Sequence, residues 1–393
     1  VREEELHRLL SVAAEDVRPS QPASTGWDRA RRVRRTRRAA GAAALAVVLI
    51  GGGTTLALGP ADRPVPTTPA SPTASPVPSA PPVQRPPDEL TYPGDPLGRL
   101  GDPVSAPLSA RPVRQALALY QPIDPETGVE GRIRVLGDDG LVRDLDVVTP
   151  ARTRDVEGNE AVPLKTGSLS PDGRAAAFAQ TDEVIVVDLT TAKVRRYPLR
   201  GYLENVLWAG DRLLVGDNDT TYEVDRGSGA ARKLTASPWD LVGPDPAAPT
   251  DSLLELGGTP ESLVLRRWSG DGTQRHDSPV DVRALPRGNR VDEFYGRGWQ
   301  RNDLVARAGW LTTGQGQGVE GVAVLDTRTS LVVRLLDVGT GRWKGCCEVL
   351  GWDSDGAVLL RHDPGGLLRW QPLTGEVTGV IRDLYGEVSL AAR

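Results

Sequence analysis

The sequence predicts an all-β fold, a β-propeller of about six or seven blades, preceded by one transmembrane helix and a short cytoplasmic amphipathic helix. Three observations predict it. Beyond about Arg111 the apolar runs are short, each is bounded by Gly, Asp or Pro, and no long helical period appears. A strand–turn–strand cadence recurs, with closing hairpins marked at Leu136, Asp188, Asp225, Trp268, Asp326 and Trp370, which lie 52, 37, 43, 58 and 44 residues apart. That spacing brackets the roughly 40 to 50 residues of a four-stranded propeller blade. Finally, one uncharged run of 20 residues, Ala39 to Leu58, stands between an arginine cluster and a proline-rich stretch.

The composition agrees. In 393 residues, 39% hydrophobic and 25% charged side chains suffice for a sizeable core, while 44 Gly and 33 Pro imply many turns. Bulky filler comes from Leu, Val and 9 Trp, since Phe numbers 2 and Met is absent. With no Met, Val1 is either a non-standard start or the edge of a truncated chain. A β-sandwich is the rival architecture, but it would not require the recurring Asp-Gly turn.

From the amino terminus, Leu6, Leu9, Leu10, Ala13, Ala14 and Val17 recur at helical spacing beside Glu3, Glu5, Arg8, Glu15 and Asp16, and Pro19 and Pro22 end the pattern. A helix this short is marginal alone. Its apolar face, with Leu6, Leu9, Leu10, Ala13 and Val17, is either a docking face for a cytoplasmic regulator or part of an inert tail. Residues 1–38 carry ten arginines against six acids, a balance of +4 that leaves −9 for the remainder of a chain at −5. Arg29, Arg31, Arg32, Arg34, Arg35, Arg37 and Arg38 immediately precede the apolar run, whereas only Arg63 follows it closely. The basic flank should stay cytoplasmic and the carboxyl-terminal bulk should be exported.

At about 1.5 Å per residue, a helix over residues 39–58 matches the roughly 30 Å hydrocarbon core of a bilayer. The rival readings are a buried core helix and a cleaved signal peptide. The second would need a 38-residue basic region and a cut at Ala57-Leu58-Gly59, directly before Pro60. Pro60 to Pro87 contains eleven prolines among Thr, Ser, Ala and Val, so residues 59–110 are expected to form an extended extracytoplasmic linker. The expected domains are therefore a cytoplasmic segment 1–38, a span 39–58, a linker 59–110 and a propeller-like domain 111–393.

The clearest repeat is Ser168-Leu169-Ser170-Pro171-Asp172-Gly173-Arg174, leading into Ala175 to Ala179 and then Val184 to Leu189. Its turn residues Ser170, Pro171, Asp172 and Gly173 resemble the repeat signature of WD40-like, TolB-type propellers; the other repeats match it loosely. The whole layout resembles single-pass membrane propellers of high-GC Gram-positive bacteria, some of which are similar in architecture to anti-sigma regulators. That resemblance implies an extracytoplasmic propeller and a cytoplasmic partner such as a sigma factor. The His-x3-Cys-x2-Cys element of zinc anti-sigma domains is missing, since His7 is the only histidine before the span and no cysteine follows it there.

The residues give little support to catalysis. Only His276 and His362 stand beyond the span, and no Gly-x-Ser-x-Gly elbow accompanies them. Carboxylates fall at turns, as in Asp138-Asp139-Gly140, Asp172-Gly173, Asp271-Gly272 and Asp353-Ser354-Asp355-Gly356, where turn chemistry accounts for them. The last string lacks the glutamate that would complete a calcium loop. Two adjacent cysteines, Cys346 and Cys347, cannot supply a four-ligand zinc site; in an exported domain they are candidates for a vicinal disulfide. No cofactor and no metal are expected, no nucleotide-binding glycine pattern is present, and an acidic main domain offers no footprint for nucleic acid. The expected function is a non-enzymatic binding or sensing protein. It would hold membrane lipid through its anchor and an extracytoplasmic protein, cell-wall or small ligand through its propeller. The alternatives are a purely extracytoplasmic interaction scaffold and an enzyme using a central pocket.

Overall fold

A computed structural model describes residues 81–393 apart from 156–157, 218–219, 249–251, 260, 271, 274, 315, 340–345 and 363–364. The expected amphipathic helix, arginine cluster, span and first part of the linker lie outside the described residues. Among the described residues, no helix is long and apolar enough to cross a membrane.

Short strands pair into successive antiparallel groups. In the first group, Ala116–Pro122, Arg134–Gly137 and Val142–Asp144 pair in order, and Gly386–Leu390 from the far end of the chain adds the inner strand, with Val388 opposite Tyr120. The second group is built on the run Ala175–Asp188, which doubles back at Asp182, where φ is 62°. Two observations require the reversal. The Leu189 N–H donates to the Arg174 carbonyl at 2.9 Å across the ends of the run. Side-chain parity also switches at the turn: Ala176 and Phe178 share a cluster with Ile185 and Val187, whereas Ala175, Ala177 and Ala179 share one with Val184 and Val186.

The next strand, Lys193–Ala209, is shared. Its first half pairs back to the second group (Val194 opposite Val187), and its second half opens the third group with Arg212–Asp217, Thr220–Asp225 and Ala231–Leu234. The fourth group comprises Leu253–Thr259, Ser262–Trp268 and Arg275–Pro279, with Leu241 bridging to Glu255 on the inner side. The fifth is Arg290–Arg301, Leu304–Thr313, Gly316–Asp326 and Leu331–Gly339. The sixth is Glu348–Trp352, Val358–Arg361, Gly366–Trp370 and Val377–Arg382.

What arranges the groups is the apolar surface between them. Leu119 and Val135 pack with Phe178 and Ile185 between the first and second groups, and Val184 and Val186 with Trp208 and Val215 between the second and third. Leu207 and Leu214 meet Leu253 and Trp268, and Leu254 and Leu265 meet Val305 and Ala323. Val324 and Leu336 meet Leu360 and Trp370; finally Leu359 and Leu367 meet Ala118, Leu136 and Val388 of the first group. Each sheet therefore buries both faces against its neighbours, and the last contact returns to the first group. The result is a propeller-like ring of sheets.

Asp residues close the outer hairpins as the sequence suggests. Asp188 Oδ1 accepts from the Thr190 and Thr191 N–H groups at 2.9 and 3.1 Å, and Asp326 Oδ1 from those of Arg328 and Thr329 at 2.8 and 3.1 Å.

The described part of the expected linker, residues 81–110, lies against the ring. Val83–Gln84 pairs in parallel with the outer strand of the fifth group, the Gly379 N–H of the sixth group donates to the Thr91 carbonyl at 2.8 Å, and Ala106–Pro107 pairs with the outer strand of the first. A 3-10 helix, Pro96–Gly101, buries Leu97 and Leu100 between the sixth and first groups. This strap covers three consecutive outer edges whose backbone N–H and C=O groups would otherwise face solvent unpaired.

Candidate functional site

Inner strands in a ring of sheets run side by side along the axis, so the turns that leave them meet at one mouth. Here those turns line a cavity of about 260 Å³. Each group contributes: Ala392 and Arg393 follow the first group's inner strand, Pro171 follows Leu169, which bridges to Ala176 of the second, Leu207 and Trp208 stand in the third's inner strand, Pro244 and Asp245 follow the fourth's, and Trp299 to Asn302 and Gly351, Trp352 and Ser354 come from the fifth and sixth.

Three tryptophans set its walls, and each one also fastens neighbouring inner strands. The Trp208 indole donates to the Ser168 carbonyl at 2.9 Å, Trp299 to Val349 at 3.0 Å and Trp352 to Trp299 at 2.7 Å. With every indole N–H committed to backbone, what these rings offer the cavity is apolar. Their packing constrains the backbone opposite: a Cβ on Gly243 would lie 2.2 Å from the Trp299 ring, so only glycine fits there.

The polar rim is held by short local bonds. Asp245, 4% exposed, accepts from the Ala247 N–H at 2.8 Å and from the Asn302 N–H. Arg393 pairs with Asp95 at 3.0 Å and approaches Asp353 at 3.9 Å. Burial would raise the Asp353 carboxyl, but Arg393, the Ser354 N–H and Arg369 outweigh it and hold the group below the ordinary carboxylate range. The Arg301 guanidinium donates to the Ser354 carbonyl, and among the described residues no carboxylate pairs with it.

At the other end of the inner strands the chemistry is ionic. Arg361 pairs with Glu348 at 2.6 Å and with Glu387 at 3.1 Å, and Arg152 with Glu130 at 2.7 Å. Burial raises the Glu130 carboxyl despite Arg152, and it pushes Arg297 down to about 10 although Glu348 opposes the shift.

The residues singled out by sequence fall in different places. Ser170, Pro171, Asp172 and Gly173 form a turn in which the Gly173 N–H donates to the Ser170 carbonyl at 2.8 Å. Ser170 Oγ donates to Asp172 Oδ1 at 2.6 Å, Gly173 has φ +67°, and a Cβ there would lie 2.2 Å from the Ala116 carbonyl. Pro171 also reaches the cavity, its carbonyl accepting from the Ala392 N–H at 2.9 Å. Cys346 and Cys347 are bonded to each other through a disulfide, share a cis peptide and are 1% and 5% exposed in the core between the fifth and sixth groups. The Tyr295 hydroxyl donates to the Cys346 carbonyl at 2.8 Å and accepts from the Cys347 N–H at 3.2 Å. His276 is exposed on the outer strand of the fourth group and His362 is half-buried after Val358–Arg361; neither lines the cavity. Asp353 and Asp355 serve their turn and pair with Arg369. Asp271 lies outside the described residues. Among the described residues no cluster of three or more His, Cys, Asp or Glu side chains is placed to hold a metal ion.

Trp208, Trp299, Trp352 and Arg301 were not anticipated as a site. A signal for the tryptophans exists: each stands three or four residues before the aspartate of an inner turn, at Asp211, Asp303 and Asp355.

No known family profile matches this chain, and no curated protein matches it. Among solved structures it is similar to BamB from Moraxella catarrhalis, at 13% identity over 70% of this chain and 80% of that one, with a TM-score of 0.36. It is also similar to a chain of a nidogen/laminin complex, at 11% identity over 70% and 98% with a TM-score of 0.43. A chain of a mitotic checkpoint complex shares 14% identity over 66% and 76%, with a TM-score of 0.42. The ring assignment rests on this chain's own strand pairings and interfaces.

Proposed function

We propose that this chain is a membrane-anchored, non-enzymatic binding protein whose ring, read as a six-bladed propeller, engages a partner protein at the tryptophan-walled mouth of its axis. The observation that carries the reading is the convergence of inner turns from every group on one largely apolar cavity with a polar rim, the usual form of a binding site. Two sequence features support the anchor: the uncharged run Ala39 to Leu58 and the seven arginines before it, which would keep residues 1–38 in the cytoplasm. The apolar face of Leu6, Leu9, Leu10, Ala13 and Val17 then serves a cytoplasmic regulator such as a sigma factor, and the rival is a scaffold whose amino-terminal segment is inert.

A photo-cross-linking residue placed at the exposed rim position Asn302 of the full chain in intact cells tests the binding reading, with the outward-facing Arg283 as control. Adducts to a defined protein from position 302 and not from 283 are expected; equal or no adducts would refute it. Protease added to the same cells should trim the region beyond residue 60 and spare the first 38, and the reverse pattern would refute the anchor. Deleting Arg2 to Val17 should change the transcriptome, while an unchanged one favours the scaffold.

A further inference from the structure

The cavity joins two features that select for different parts of one ligand. Its floor and walls are apolar, with Leu169, Leu207, Leu359 and the faces of Trp299 and Trp352 whose N–H groups are already bonded. At its rim stand two guanidinium groups in different electrostatic states. Arg393 is neutralised by Asp95 and Asp353, whereas Arg301 meets only the Ser354 carbonyl and no carboxylate among the described residues. A half-buried cation beside an apolar hollow favours an anion that arrives attached to an apolar group, because the hollow desolvates the charge pair.

Size narrows the source. At about 260 Å³ the hollow is smaller than the roughly 300–1,000 Å³ of pockets that enclose a drug-sized ligand. It suits one bulky side chain, seated as an anchor and ringed by polar contacts in the manner of interface hot spots.

We infer that the partner presents a loop in which a bulky apolar residue enters this cavity and an adjacent aspartate or glutamate pairs with Arg301. The inference rests on the cavity being the binding site and adds the chemistry of the occupant. Arg301 supplies a fork of donors to a carboxylate, the tryptophan faces accept the apolar side chain, and Asp245, which accepts from the Ala247 and Asn302 N–H groups, one on each oxygen, holds the turn that carries Arg301.

Calorimetric titration of the full chain with two peptides differing only in charge, acetyl-Gly-Trp-Asp-Gly-amide and acetyl-Gly-Trp-Asn-Gly-amide, tests this. The Asp peptide should bind at least about tenfold more tightly than the Asn peptide. Arg301→Gln should erase the preference, Arg301→Lys should retain part of it, and an unchanged unfolding midpoint in both variants shows that the ring is intact. Equal binding of the two peptides, binding of neither at millimolar concentration, or a preference that survives Arg301→Gln would overturn the inference. N-acetyl-tryptophan binding as tightly as the Asp peptide would overturn the protein loop in favour of a small acid. Ala392→Trp, at an exposed position on the cavity wall, plugs the mouth. If it abolishes cross-linking from position 302 while the peptides bind alike, the occupant's chemistry is wrong and the cavity reading stands; if cross-linking persists, both fall.

Discussion

Arg143 shows how this ring accommodates charge in its core. The residue is 1% exposed, and its guanidinium donates to the carbonyls of Arg111 and Leu141 at 2.7 and 3.0 Å and forks onto Asp139 at 3.0 and 2.6 Å. The Arg143 hydrogen bonds pull the Asp139 carboxyl down to about 2, against desolvation and helped by the Leu141 N–H. A carboxylate whose folded pKa lies below its unfolded 3.8 stabilises the fold above that value and loses the contribution as pH falls through about 2. Asp139→Ala should therefore cost about 2 kcal/mol at neutral pH, since Asp139 is partly exposed and Arg143 keeps its carbonyl partners. The gap in unfolding free energy between wild type and variant should close between pH 4 and pH 2 in denaturant titrations; a gap constant across that window would rule out the pair as its source. None of this was legible in the string Asp138-Asp139-Gly140, which gives the turn but not the arginine beneath it.

Among the elements, the strap from 81 to 110 is tied to the ring by contacts that no local sequence pattern predicts. Apart from the 3-10 helix Pro96–Gly101, it meets the ring through short parallel pairings at Val83–Gln84 and Ala106–Pro107. Gln84 fastens its start. At 4% exposure it donates to the Pro372 carbonyl at 2.8 Å and accepts from the Trp370 indole at 2.6 Å. The ring of Tyr92 lies under the Arg382 guanidinium at 4.1 Å. Gln84→Ala leaves the buried Trp370 N–H without its partner and should cost about 1 to 3 kcal/mol. Hydrogen exchange should accelerate first at Val83 to Tyr92 and at the strand Val377–Arg382, and unaltered exchange there would show that the strap does not depend on this contact. The turn motif at Ser170 to Gly173 is the opposite case. Serine, aspartate and glycine each satisfy a local backbone demand, so spacing alone reveals it.

For the whole molecule, the decisive contact joins Gly386–Leu390 to Ala116–Pro122, strands more than 260 residues apart in the sequence. Gly386–Leu390 supplies the inner strand of the first group, and Ser389 Oγ donates to the Thr166 carbonyl at 2.8 Å while accepting from the Leu169 N–H at 2.8 Å. Removing residues 386–393 would strip the inner edge from Ala116–Pro122 and open the ring between the first group and its neighbours on both sides. The truncated chain should lose the single cooperative unfolding transition and accumulate as aggregate; retention of a monomer with one sharp transition would mean that the interfaces close the ring without this strand. The same truncation takes away Ala392 and Arg393 and with them one wall of the cavity.

Strand cadence and turn chemistry follow from the sequence, because alternation and Asp-Gly turns are properties of neighbouring residues. Which turns meet is settled only in three dimensions. Trp208, Trp299 and Trp352 are far apart along the chain, and they become one wall because closing the ring brings every inner strand to the same axis. That Arg301 meets the Ser354 carbonyl and, among the described residues, no carboxylate likewise belongs to the fold alone, since a sequence names an arginine's neighbours in line but not the groups that come within reach.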